Sequence, residues 1–320
     1  MDDFLYGGTQ LFLDTVIKKI FEVFSVGSQE HMCFKYIGMQ VSQTTENIKL
    51  SMSEYAASLI PFDLSCFHNV RSTKLTADEK KLLKRFSGQI NWLVTQCRPD
   101  IAYDNCIVGN SLQSPTVKDI VYANKIIGKL NSADASLLFY AGLDLSKCSI
   151  VSFCDASFGN LPNGGSQGAF ITFLVDSNGT YCPISWQSRR IKRVVKSTVA
   201  AECLAAIESA ESSVLLCTIF REMCSRRDNS SVNVVIFCDN RNLVDSVHST
   251  TSIEDRRLMI DVCVLRDMVS HGEINNFSWI PSDLQIANCL TKQGAPTNNL
   301  LRVLNNKLTL DIETGEFHSE

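Results

Sequence analysis

Three carboxylates stand where chemistry could be done. Asp155 follows an apolar, β-branched approach in VSFCDASFGN (151–160), and Asp239 follows a second in VVIFCDN (234–240). Glu202 lies in STVAAECLAA (197–206), among alanines small enough to let a helix sit close on a sheet. An aspartate at a strand end often serves only as a turn residue. Two such aspartates leaving one sheet at its carboxyl end stand where open sheets place ligands. Three carboxylates gathered there would repel one another unless a cation joined them. Hard oxygen ligands suit Mg²⁺, which keeps waters and bridges to phosphate.

The elements that must position these residues are legible from about Lys147 onward. SIVSFCD, GAFITFLV and YCPISWQS read as three strands, the last two joined by the turn DSNG. Ser197 or Thr198 caps a long helix from about Val199 to Met223. SVNVVIFCD is a fourth strand and INNFSWI a fifth, separated by helices from Asn242 and from about Asp255 to Val269. PSDLQIANCLTK opens a last helix, with Ser282 as cap and Gln285 in the reciprocal position. In that helix Asp283 is a favourable first-turn charge. Two hairpin-linked strands and a helical crossover imply the spatial order 3-2-1-4-5, with the first and fourth strands parallel.

Upstream, LFLDTVIKKIFEVFSV (11–26) has helical spacing, FKYIGMQVSQ (34–43) reads as a strand, and NIKLSMSEYAASLI (47–60) as a strand leading into a helix. Residues 76–140 read as largely helical, starting with a capping box of Thr76 and Glu79. The first seventy residues are expected to form a separate, incomplete layer.

At 320 residues, with 45% hydrophobic and 20% charged residues, the chain reads as globular. A formal net charge of −4 excludes a generally basic coat but leaves room for a local basic groove. One run stands out: Arg189, Arg190, Lys192, Arg193 and Lys196 in RRIKRVVK. It reads as a nucleic-acid-binding strip or as a solvated face. The 13 cysteines lack zinc-site spacing and read as buried thiols in a reducing compartment. No signal-like start is visible, and no apolar run is expected to reach membrane-spanning length. An intracellular protein without a membrane partner is the expectation. His248 and His271 read as helix-end residues, Trp186 and Trp279 as sheet packing, and Gly164, Gly165 and Gly168 as turn and bulge glycines.

These blocks, in this order, resemble the ribonuclease H domain of copia-type retrotransposon Pol polyproteins: VSFCDASFGNLPNGGSQGAFITFLV, CPISWQSRRIKRVVKSTVAAECLAA, VVIFCDNRNLVDSV, RRLMIDVCVLRDMVSHGEI and WIPSDLQIANCLTKQGA. RFSGQINWLVTQCRPDIAYD (85–104) looks like the segment joining polymerase to ribonuclease H, and FKYIGMQVSQ like the late palm. MDDFL resembles the polymerase double-aspartate box, which places Asp2 and Asp3 on its metal-binding pair. The resemblance implies an α/β fold: a ribonuclease H-like mixed five-stranded sheet with flanking helices. A truncated reverse-transcriptase palm end and a helical connecting region would precede it. The implied divisions are 1–60 palm remnant, 61–145 thumb or connection, 146–300 ribonuclease H-like domain and 301–320 tail.

The resemblance further implies cleavage of the RNA strand of an RNA–DNA hybrid, leaving a 5′-phosphate and a 3′-hydroxyl. Two Mg²⁺ ions about 3.5–4 Å apart would clamp the scissile phosphate. Asp155 would bridge the ions, and Glu202 and Asp239 would complete the coordination shells. Mn²⁺ could replace Mg²⁺. In the family the finger and earlier palm segments precede the MDDFL position, so polymerase activity is not expected, and the missing polymerase portion of a longer polyprotein is an expected partner. The family's last catalytic Asp falls on Asn288, where ADCLTK or ADILTK is usual. An amide lacks the charge that helps hold a second ion, so a weakened nuclease is expected. The rival readings are a non-catalytic nucleic-acid or partner-binding module, and a decayed element remnant.

Overall fold

The computed structural model describes residues 4–65, 73–132, 135–161, 164–224 and 232–319. Asp2 and Asp3 lie outside the described residues. A helical segment opens the described chain: α1 (Gln10–Phe12), a π turn at Leu13–Ile17, and α2 (Lys18–Val23). Strands β1 (Cys33–Tyr36), β2 (Met39–Gln43) and β3 (Asn47–Ser51) form an antiparallel meander, followed by α3 (Ser53–Ala57). Three main helices come next: α4 (Ala77–Gln96), α5 (Ala102–Ser111) and α6 (Val117–Ser132). The Thr76–Glu79 capping box that starts α4 is formed as expected.

Three expectations fail in this first half. FKYIGMQVSQ, read as one strand, is the β1–β2 hairpin, which turns at Ile37 and Gly38. SLLFY was read as part of the helical stretch, but it forms β4 (Ser136–Tyr140), which pairs antiparallel with β3. Residues 33–59 therefore do not stand apart as a separate layer. The order β1-β2-β3-β4 ties them to chain that follows the helices. Met52, Ala56 and Leu59 are buried in one core with Leu83, Ile90, Leu93 and Ile120. Before residue 33 the picture differs: Phe4, Leu5, Leu11, Val23 and Phe24 are exposed, and of the α1–α2 segment only Ile17 is buried.

The second half is built on β5 (Cys148–Leu161), β6 (Gly165–Asp176), β7 (Tyr181–Arg190), α7 (Thr198–Met223), β8 (Asn233–Cys238), α8 (Arg241–His248), α9 (Arg256–Ser270) and β9 (Asn276–Trp279). The sheet order is β7-β6-β5-β8-β9, with β5 and β8 parallel: the order expected of a ribonuclease H-like fold. Its physical cause is the run of β-branched and aromatic residues buried on both faces, Ile150 to Phe153 and Val234 to Phe237. Pro183, which cannot donate to a ladder, sits on the edge strand β7 beside a bulge.

Helices α7, α8 and α9 cover one face of the sheet around Ile150, Cys203, Ile236 and Leu265. The other face carries Phe153, Phe173 and Phe237, packed with residues of the helical region and of the C-terminal segment. That segment comprises α10 (Asn298–Asn305) and the hairpin β10 (Leu308–Leu310)–β11 (Phe317–Ser319). Phe317 stacks on Phe153, and the Tyr181 hydroxyl donates to the Val303 carbonyl at 2.7 Å.

Among the described residues α7 is long and apolar enough to cross a membrane, which corrects the expectation that no segment approaches that length. Here it packs along the sheet through Ala201, Ala205, Ala206 and Ala210, all buried. The described cysteines are all free, and most are buried, as expected.

Candidate functional site

Asp155 and Asp239 meet because β5 and β8 run parallel in register: Cys154 pairs with Cys238, so the two aspartates follow side by side. Asp155 does not end its strand, however. Only the pairing to β8 stops at Cys154, while β5 continues against β6, placing Asp155 opposite Ala169. The carboxylate is consequently buried, at 1% exposure.

Glu202 comes from the first turns of α7, whose N-cap Ser197 accepts from the Ala200 amide. The small residues that flank it allow a close approach. Ala201 and Ala205 pack on Ala156, and a Cβ on Gly168 would come within 3.3 Å of the Ala205 Cβ. Glu202 is 4% exposed, and its Oε2 has no hydrogen-bond partner among the described residues. A buried carboxylate oxygen without a partner is costly. Ligand atoms of Glu202, Cys238 and Asp239 all lie within 4.8 Å of one another, a group able to coordinate a metal ion.

Electrostatics describe the same centre. Burial pushes the Asp155 carboxyl up to about 6. The ammonium of Lys292 and the hydroxyl of Thr291 oppose that rise, and Asp239 adds to it. Burial also pushes Glu202 far above the usual carboxylate range, helped by the charges of Asp155 and Asp239. The neighbouring Cys238 side chain, and after it burial, raise the Cys154 thiol well above its ordinary value. Mutually repulsive carboxylates, two of them buried and one with a partnerless oxygen, fit a divalent cation, which would satisfy the Glu202 oxygen and remove the repulsion.

The segment bearing Asn288 is not the expected α-helix. Residues 281–284 form a turn, and Ile286–Leu290 is a short 3₁₀ helix capped by Gln285. Gln285 is buried and donates to the Cys154 carbonyl at 2.9 Å, so it serves the sheet as well as the cap. Ser282 does not cap; its hydroxyl donates to Asp239 Oδ2 at 2.7 Å. Asp283 lies in the turn rather than in a helix's first turn.

Asn288 reaches the site through neighbours. Its Nδ2 donates to the Ser282 carbonyl at 3.2 Å, and its Oδ1 accepts from Lys292. Lys292 Nζ lies 3.8 Å from Asp155 Oδ2, and Thr291 donates to the same oxygen. Ser282, Thr291 and Lys292 were thus missed as site residues. Thr291 and Lys292 fall on the last two residues of the ADCLTK-type pattern, and Ser282 had only its closeness in sequence to Asn288.

Trp279 also differs from expectation. It is partly exposed beside the site, where Nε1 donates to the Asp239 carbonyl at 3.0 Å and Arg241 sits 4.1 Å over its ring. Trp186 packs as expected, donating to the Val94 carbonyl at 2.7 Å. His248 ends α8 and His271 caps α9.

The basic run begins inside β7, since Arg189 and Arg190 pair with Gly168 and Gln167. All five of its cations are exposed. Arg189 is ion-paired with Glu208 of α7, and Arg193 with the buried Asp261 of α9. A Cβ on Gly165 would come within 2.9 Å of the Arg190 guanidinium, so that glycine leaves room for the arginine.

No known protein-family model matches the chain. It is 25% identical over 192 residues to a transposon Ty5-1 protein of Saccharomyces cerevisiae, covering 55% of this chain and 59% of that one. It is 22% identical over 308 residues to the retrovirus-related Pol polyprotein from transposon RE1 of Arabidopsis thaliana, covering 91% of this chain and 20% of that one. The chain is similar to retrotransposon Pol polyproteins, and the sheet of its C-terminal half has the strand order of a ribonuclease H-like fold. It spans less than two thirds of the length of either relative. A solved structure of LC11 ribonuclease H1 in complex with an RNA/DNA hybrid is also similar, at 15% identity and a TM-score of 0.32, over 43% of this chain and 88% of that one.

A hydroxyl that orients a ligating carboxylate commonly contributes 10–100-fold to metal affinity. Ser282→Ala should weaken Mn²⁺ binding by about 10-fold, read by equilibrium titration. Unchanged affinity would mean that Asp239 needs no such support.

Proposed function

We propose that this chain is a portion of a copia-type retroelement Pol polyprotein whose residues 146–300 cleave the RNA strand of RNA–DNA hybrids. In this reading residues 1–60 are a palm remnant and 61–145 a connection, without polymerase activity. Residues 301–319 are a C-terminal segment packed on the sheet. The observation that carries the reading is the buried, partnerless Glu202 oxygen grouped with Asp239 beside Asp155.

Asp155, Glu202 and Asp239 would hold Mg²⁺, or Mn²⁺ in its place. A bound divalent cation supplies Lewis-acid charge to a scissile phosphate. Ser282 holds one Asp239 oxygen in place, and Thr291 does the same for Asp155. Gln285 ties the segment bearing Asn288 to β5 through the Cys154 carbonyl. The direct test is cleavage of a 5′-labelled RNA strand annealed to DNA, with the Asp155→Asn protein as blank. Cleavage no greater than that blank would end the nuclease reading.

The basic run would grip the backbone. Because Arg189 and Arg193 already have carboxylate partners, Arg190, Lys192 and Lys196 are the cations assigned to phosphates. Lys192→Ala with Lys196→Ala should shallow the dependence of hybrid affinity on salt by about 1 to 2 in log–log slope. Cleavage at saturating hybrid should not change. A slope equal to that of the unaltered protein would remove the run from the interface.

A non-cleaving hybrid-binding module is the second reading, favoured by the neutral side chain of Asn288. It predicts hybrid binding without any cleavage that depends on Asp155.

A further inference from the structure

The mechanism above leaves one group unused: the ammonium of Lys292, which reaches into the carboxylate centre. It is directed by contacts on two sides. Asn288 spends its Nδ2 on the Ser282 carbonyl, so its amide oxygen must face the other way, and that oxygen accepts from Lys292. On the other side Asp155 Oδ2, within a carboxylate 1% exposed, lies 3.8 Å from Nζ. The cation thus stands between the first carboxylate of the site and its neutral fourth position. Thr291, one residue earlier, donates to the same Asp155 oxygen and fixes the approach of the chain.

We propose that Lys292 is a built-in cation that takes the place of a second divalent ion, so that this centre works with a single divalent ion held by Glu202 and Asp239 beside Asp155. The proposal rests on the nuclease reading for its catalytic meaning but not for its geometry. Charge balance supports it. With a divalent ion bound and all three carboxylates ionised, the carboxylates, the ammonium and the ion balance to neutrality. A second divalent ion would leave the same desolvated centre with a double positive charge. With an amide at 288 no further carboxylate is there to offset it. A like-charged ion close to a fixed ammonium is repelled. Lysine suits this role as a compact point charge on a flexible stem.

Arginine at the same place would keep the charge, whereas methionine would keep the stem and remove it. About two fifths of the Lys292 side chain is exposed, so neither change threatens the fold. The test is an equilibrium Mn²⁺ titration of the full chain, following the EPR signal of the free ion, with Lys292→Met and Lys292→Arg alongside.

The unaltered protein and Lys292→Arg should each take up a single Mn²⁺. Lys292→Met should admit a second, weaker ion, because the competing charge has gone. In parallel, hybrid cleavage should rise with Mg²⁺ concentration in first order for the unaltered protein and approach second order for Lys292→Met. It should also fall at least about 10-fold at limiting Mg²⁺, a modest loss for one electrostatic group. A merely structural lysine would shift neither ion count nor reaction order. Two Mn²⁺ ions on the unaltered protein, or an unchanged single ion on Lys292→Met, would overturn the proposal. Absence of Asp155-dependent cleavage alongside the expected ion counts would instead sink the nuclease reading and leave Lys292 as the resident cation.

Discussion

Asp155→Asn is expected to reduce hybrid cleavage by about 10³-fold or more, to background, while making the metal-free protein more stable above pH 6. The two effects share one cause. Burial raises the Asp155 carboxyl from 3.8 to about 6, so the fold disfavours its ionised form. Below about pH 4 the group is protonated in folded and unfolded chains alike, and no cost arises. Between about pH 4 and 6 the unfolded chain releases its proton first, and native stability falls as pH rises. Above about pH 6 the full cost stands, on the order of 3 kcal/mol for one carboxylate. Asparagine never ionises and still accepts from Thr291, so it avoids that cost. Melting curves of metal-free protein should coincide for the two chains near pH 4. By pH 7.5 they should separate by a few degrees, with the variant higher. Mg²⁺ should narrow the gap by stabilising only the aspartate form. A variant that melts lower than its parent at pH 7.5 would show that Asp155 is satisfied without metal, and the site would lose its main physical argument.

The sheet was legible because its central strands β5, β6 and β8 carry apolar runs buried on both faces, and because a hairpin pair followed by a helical crossover leaves few orders. Glu202 was legible through its company: Ala201 and Ala205 are the residues that bring α7 close to β5. The missing parts depend on contacts distant in sequence. β5 runs past Asp155 because β6 keeps pairing to Gln167 and beyond, which the local pattern ASFGN does not announce. SLLFY looked helical because its partner, β3, lies nearly ninety residues earlier. SDLQIANCL has a capping-box spacing, yet Ser282 and Gln285 are drawn to Asp239 and to the Cys154 carbonyl, and the helix gives way to a turn and a 3₁₀ segment. Tertiary partners overrode local propensity at the very residues that shape the site. Lys292 was missed for the same reason, since only the folded chain brings residue 292 to residue 155.

Asn288→Asp should raise hybrid cleavage in Mg²⁺ by about 10²-fold, the size of restoring one group that stabilises transition-state charge. The local contacts say why the carboxylate would turn to a cation. Asn288 now donates to the Ser282 carbonyl at 3.2 Å, and a carboxylate cannot donate. Two acceptors at that distance repel, so the new oxygen must leave Ser282 or meet positive charge. Lys292 is the nearest such charge, and pairing with it would loosen the ammonium's hold on Asp155 and open that oxygen to a second ion. Uptake of Mn²⁺ should therefore rise from a single ion to two as cleavage rises. Hybrid affinity should change little, because Lys192 and Lys196 lie in the segment between β7 and α7 and are untouched. A gain in rate without a gain in affinity is the mark of charge placed for the transition state rather than of tighter grip. Asp155→Asn in the same background should abolish the gain, which excludes a contaminating nuclease. A folded Asn288→Asp protein that binds hybrid yet cuts no faster than the Asp155→Asn blank would mean that the neutral fourth position is not what limits this centre, and would turn the balance toward the non-cleaving binding module.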